Sequence, residues 1–127
     1  MTMLEIIDTV TRVSGVQAAA ICDYDGILIE GYTATDLVER EHLCAWAAEM
    51  GRAAAKTTES WEGGALRVAL FESSVGSLML ADVGKGYLVA VGDPTTNLGL
   101  LRLEIERAAA MLRRALSTAV LSEGIGN

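Results

Sequence analysis

Apolar positions recur with a helical period at the start of the chain, where Met3, Ile6, Ile7, Val10 and Val13 share one stripe. Thr2 and Glu5 stand ahead of that stripe in the T-x-x-E arrangement of a capping box, and Ser14-Gly15 supplies a stop. The pattern then shortens. Val16–Cys22 and Ile27–Tyr32 read as two strands with a tight connection through D-Y-D-G. Asp36 and Glu39 repeat the capping logic before a second helix that runs to about Thr58. After the W-E-G-G loop come three strands, Ala65–Phe71, Val75–Asp82 and Gly86–Gly92. Their linkers, E-S-S and V-G-K, are short enough to require an antiparallel meander. Pro94 stops the fifth strand, and Thr96 or Asn97 caps a last helix whose apolar stripe is Leu98, Leu101, Ile105, Ala108, Leu112 and Ala115.

The order is α-β-β-α-β-β-β-α. It predicts an α/β sandwich of the α+β type: a five-stranded antiparallel sheet with helices on both faces. Residues 1–121 are expected to form one domain and 122–127 a flexible tail.

The second helix carries the most information. At 100° per residue, Leu43, Ala47, Met50 and Ala54 form a sheet-facing stripe flanked by Trp46. Beside it runs a stripe of small residues, Cys44, Ala48, Gly51 and Ala55. A glycine inside a helix costs about 1 kcal/mol relative to alanine, so Gly51 demands a reason. Small residues at this spacing admit another backbone closely. The neighbour is either a segment of the same chain or the same helix of a second copy across a two-fold axis. The outward face carries Glu41, Ala45, Glu49, Arg52, Lys56 and Glu59, which is a solvated face or a docking surface.

Composition narrows the function. Of the 127 residues 51% are hydrophobic, which excludes disorder, and the net charge of −7 argues against nucleic acid or an anionic membrane as partner. The charge is uneven: residues 97–121 hold Arg102, Arg107, Arg113 and Arg114 against Glu104 and Glu106, so the last helix is locally basic. Cys22 and Cys44 have no metal-ligand spacing and read as small buried hydrophobes. The first residues lack the basic region and long apolar run of a signal peptide, and no run suffices to span a membrane. A soluble cytoplasmic protein without membrane insertion is expected.

No stretch carries convincing catalytic chemistry. D-Y-D-G mimics part of a calcium loop, but placing Gly26 at the sixth position puts Ile21 and Tyr32 where side-chain ligands are needed. Asp-Gly between apolar runs is instead a hairpin signal. V-G-K-G-Y lacks both the spacing and the following helix of a phosphate loop. His42, the single histidine, sits at the edge of a helix stripe without a nucleophile motif. No catalytic residue, metal or cofactor is expected, and the chain does not read as an enzyme. A small-ligand sensor or a scaffold domain in a signalling complex is the alternative class. Aromatics at 5% and the lack of a convergent polar cluster favour it little.

The element order and two motifs resemble the Roadblock/dynein light-chain domain family. The first is V-S-G-V-Q-A-A-A-I-C-D-Y-D-G-I-L-I, with Gly15, Asp23, Asp25 and Gly26 at the family's positions. The second is an apolar strand followed by N-x-G-x-x-R, here Asn97, Gly99 and Arg102. The resemblance covers about residues 2–117. It implies a profilin-like fold and a homodimer in which the third strands pair edge to edge and the second helices lie side by side. It also implies a non-catalytic platform for a small Ras-like GTPase, whose cycle or localisation it modulates. One bacterial relative in gliding polarity is a GTPase-activating protein. On this view Cys44, Ala48, Gly51 and Ala55 line the dimer interface. Glu41, Ala45, Glu49, Arg52 and Lys56 would then face the GTPase. Arg52 is central on that face, yet the resemblance does not require an arginine finger.

Overall fold

A computed structural model describes residues 1–34 and 38–126, with side chains through residue 117. The element order is the expected one: α1 (Met3–Thr11), β1 (Val16–Asp23), β2 (Leu28–Thr33), α2 (Arg40–Ser60), β3 (Val68–Ser73), β4 (Gly76–Asp82), β5 (Gly86–Gly92) and α3 (Leu98–Gly126). All strand pairs are antiparallel, and the sheet order is β2-β1-β5-β4-β3. Two hairpin-built halves are therefore joined by β1 lying against β5, with Ala19 opposite Ala90 and Ile21 opposite Leu88.

Alternate residues of the central strands feed two cores. On one face, Ala19, Ile21, Leu88 and Ala90 pack with α1 and α3 through Ile6, Ile7, Val10, Leu101, Ile105 and Leu112. On the other, Ala18, Ala20, Cys22, Leu80 and Val89 pack beneath α2. β1 is thus buried on both sides, which explains why its residues 18–22 form an unbroken apolar run instead of an alternating one. Its three consecutive alanines let helices approach the sheet from either face.

Caps and turns follow local chemistry. Thr2 Oγ1 accepts from Glu5 N–H at 3.1 Å, closing the first turn of α1. Asn97 is the residue that caps α3, its Oδ1 accepting from Leu100 N–H at 3.0 Å, while Thr96 is buried behind it. The expected cap Asp36 lies outside the described residues. Glu39 occupies the N-cap position of α2 without a side-chain capping bond, and the helix starts at Arg40.

The D-Y-D-G segment is a turn. Asp23 Oδ1 accepts from the backbone N–H groups of Asp25 and Ile27, both at 2.9 Å, and Gly26 takes φ 85°. This carboxylate is committed to holding its own backbone in an Asx-type turn. The same turn docks on α2: a Cβ at Gly26 would stand 3.1 Å from both Ala48 Cβ and the Cys44 carbonyl oxygen. Tyr24 at its tip donates to Asp82 Oδ1 at 2.9 Å and meets Tyr87 edge-on, ring centres 5.2 Å apart. Burial and the Asp82 carboxylate push the Tyr24 hydroxyl up to about 12, so the phenol keeps its proton and the tie between the two turns persists through neutral pH.

Gly51 is explained inside the chain. A Cβ there would overlap the Tyr87 ring, standing 2.6 Å from Cε1 and 2.7 Å from the phenol oxygen. Replacing Gly51 by alanine sets a helix-propensity gain of about 1 kcal/mol against overpacking of about 1–3 kcal/mol. We expect overpacking to win, lowering the free energy of urea unfolding. In a Tyr87→Ala background the same change should become neutral or stabilising, a reversal that a double-mutant cycle reads directly.

Candidate functional site

The candidate site is a surface, built from α2 and the neighbouring sheet edge. α2 rests on the sheet through Leu43, Cys44, Ala47, Ala48 and Gly51, all buried. The buried face is therefore rotated from the expected one. Met50 and Ala54, expected to face the sheet, are half-buried, and Trp46 is 41% exposed.

The small residues have neighbours inside the chain. Cys44, Ala48 and Gly51 lie against the chain's own β1–β2 turn and Tyr87, and Ala55 is half-buried beside the same core. Their smallness accommodates the β1–β2 turn and an aromatic ring from β5. A helical wheel centred on Leu43 could not see this, since the bulk that demands Gly51 comes from Tyr87 in another element.

The two cysteines meet between β1 and α2, where Cys22 Sγ donates to the Cys44 carbonyl oxygen at 4.0 Å. Both are free thiols, and the contact with Cys44 together with burial pushes Cys22 well above the usual thiol range. Cys22 is a protonated core residue there.

The outward residues Glu41, Ala45, Glu49, Arg52, Lys56 and Glu59 are all exposed. Among the described residues, none of their side chains forms a hydrogen bond or an ion pair. His42 is exposed as well, 3.6 Å from Glu39 and stacked loosely near Trp46. Opposite Ala48 around the helix runs a flank that the sequence reading did not single out. Trp46, Met50 and Ala53 follow one another at helical spacing there, all at least partly accessible.

Beside this helix the sheet is unfinished. β3 is an edge strand whose last four residues are exposed, including Leu70 at 44% and Phe71 at 40%. Phe71 pairs with Leu78 and so points to the α2 side; Leu70 pairs with Met79 and points to the other. Apolar side chains thus emerge on both faces of an open edge. The opposite edge differs. At β2, Gly31 N–H donates to Glu30 Oε1 at 3.1 Å, and the Arg40 guanidinium donates to the Gly31 carbonyl oxygen at 3.4 Å. The outward backbone groups of Gly31 are thus occupied by the chain's own side chains, a known way of blunting an edge.

Asn97, Gly99 and Arg102 form the first turn of α3, where Arg102 pairs with Glu106 at 3.3 Å. They lie at the start of a helix on the other face of the sheet from α2 and take no part in this surface.

Known proteins share this architecture. MglB of Myxococcus xanthus superposes with a TM-score of 0.81 at 23% identity, over 91% of this chain and 95% of its own. Profilin II of Acanthamoeba castellanii superposes at 0.60 with 17% identity, over 86% of this chain and 94% of its own. An uncharacterised protein of Methanocaldococcus jannaschii is 29% identical across 80% of this chain and 86% of its own. The model of the Roadblock/LC7 domain matches residues 2–93, ending before the Asn97–Arg102 motif. Since that match spans well over half of the 127 residues, and the fold agrees, the chain belongs to the Roadblock/LC7 domain family.

Proposed function

We propose that the chain is a non-catalytic homodimeric regulator that binds a small Ras-like GTPase across its paired α2 helices. The observation that carries this reading is the asymmetry of the two sheet edges. β2 is plugged by Glu30 and Arg40, whereas β3 offers an open ladder with Leu70 and Phe71 exposed on its two faces. Antiparallel pairing of β3 with β3 of a second copy is self-complementary, so it satisfies both edges at once and closes into a dimer instead of a fibre. It also buries Phe71 together with the Trp46 and Ala53 flank of α2, which otherwise remains exposed beside the half-buried Met50.

Two α2 helices brought together in this way present twice the outward set Glu41, Ala45, Glu49, Arg52 and Lys56. A surface with both charge signs and no partner inside the chain suits a charged protein partner, tuning its rate of approach more than the depth of binding. On a Ras-like GTPase the complementary elements are the switch segments, which order and disorder with the nucleotide. A platform that favours one switch state regulates the cycle without supplying chemistry. The GTPase-activating role of a relative is the finer form of this function, and it needs no arginine finger from Arg52. A GTPase seated over the two-fold axis would exclude a second, giving two chains per GTPase.

Two measurements test the reading. Phe71→Asp should convert a dimer to a monomer in light scattering at micromolar concentration, with helix content retained. A wild-type monomer under those conditions removes the platform. Reversing Arg52 and Lys56 to glutamate should leave the dimer intact. It should weaken association with a Ras-like GTPase, chosen from a panel loaded with GDP or a non-hydrolysable GTP analogue, by roughly tenfold, and more at low salt. Unchanged affinity in calorimetry moves the site to another face, and one GTPase per chain removes the straddling geometry.

A further inference from the structure

A groove of about 490 Å³ runs between α1 and β2, on the face of the sheet opposite α2. Its floor is Ile7, fully buried, and its walls are Leu4 from α1 and Tyr32 from β2, which remain 52% and 47% exposed. Leu4, Ile7, Asp8 and Thr11 follow at helical spacing along one flank of α1, so the groove extends over two turns of helix. Two carboxylates, Glu5 and Asp8, also line it. No lysine or arginine is among the lining residues; Arg12 reaches Asp8 from outside at 2.7 Å. That pair is exposed on both sides, so an incoming cation can compete for Asp8 at little cost.

We propose that this groove is a second docking site, taking a short segment of another protein in which aliphatic side chains alternate with lysine or arginine. Apolar walls with unburied surface call for aliphatic groups, and the acidic lining selects positive charge beside them. A polar segment without aliphatic groups fails the first requirement, and an anionic one fails the second. The groove lies on the α1 and α3 side of the sheet, so its occupant and a partner on α2 can be held at once. The site thereby gives the domain a means of joining two proteins, and it stands whether or not the α2 partner is a GTPase.

The test uses three synthetic hexapeptides, acetylated and amidated: Leu-Lys-Leu-Lys-Leu-Lys, Ser-Lys-Ser-Lys-Ser-Lys and Leu-Glu-Leu-Glu-Leu-Glu. Each is titrated into the labelled full chain and followed by amide chemical shifts. The Leu/Lys peptide should perturb residues 2–11 and the amides around Tyr32, with an affinity that falls as salt is raised. The Ser/Lys peptide should bind at least tenfold more weakly, and the Leu/Glu peptide should not bind. A Leu4→Ser, Asp8→Asn variant changes two accessible side chains, and so should keep the wild-type melting temperature while losing at least tenfold in affinity. Perturbations spread over the whole acidic surface, or equal binding of the Leu/Lys and Ser/Lys peptides, would show bulk charge attraction and overturn the proposal. So would undiminished binding by a folded variant.

Discussion

The antiparallel contact between β1 and β5 organises everything else in this molecule. It welds the N-terminal hairpin to the C-terminal meander and places β1 between two helical layers. A strand buried on both faces must be apolar throughout, and one approached by helices from both sides must be slim. Ala18, Ala19 and Ala20 meet both demands, with no accessible surface left on any of them. Bulkier side chains there would push α2 or α1 off the sheet.

Covering the centre leaves the periphery short. Three helices protect β1, β5 and β4, but their packing does not extend to the outer half of β3. The chain handles its two exposed edges in opposite ways. At β2 a carboxylate and a guanidinium occupy the outward backbone groups of Gly31, while at β3 the edge stays open and apolar. In the dimer we propose, the bare edge is the one left for a single closing contact. The same geometry leaves α2 half free: its inner face is consumed by Tyr87 and the β1–β2 turn, and the side chains of its outer face have no hydrogen-bond or ion-pair partner among the described residues.

Much of the fold was legible in the residues. Element order, turn positions and the Asx character of D-Y-D-G follow from local chemistry, because caps and tight turns are decided by groups a few residues apart. The outward residues of α2 were legible too, since charge at helical spacing excludes burial. The role of Gly51 was not legible. Its reason, the Tyr87 ring, lies 36 positions downstream, and a wheel records only the periodicity of its own helix. The stripe of small residues therefore has a reason inside the chain that spacing alone could not supply.

The sequence by itself therefore determined the helices, the strands, the antiparallel sense of each hairpin and the acidic character of the chain. Only the tertiary structure decided which strands meet across the sheet, which edge is plugged, and which flank of α2 carries Trp46 into solvent. It also decided that Leu4, a stray apolar residue in the sequence, forms one wall of a groove with Tyr32. The division has a physical basis. Local elements depend on hydrogen bonds and rotamers within one or two turns of chain, whereas burial depends on which distant surface arrives to cover them.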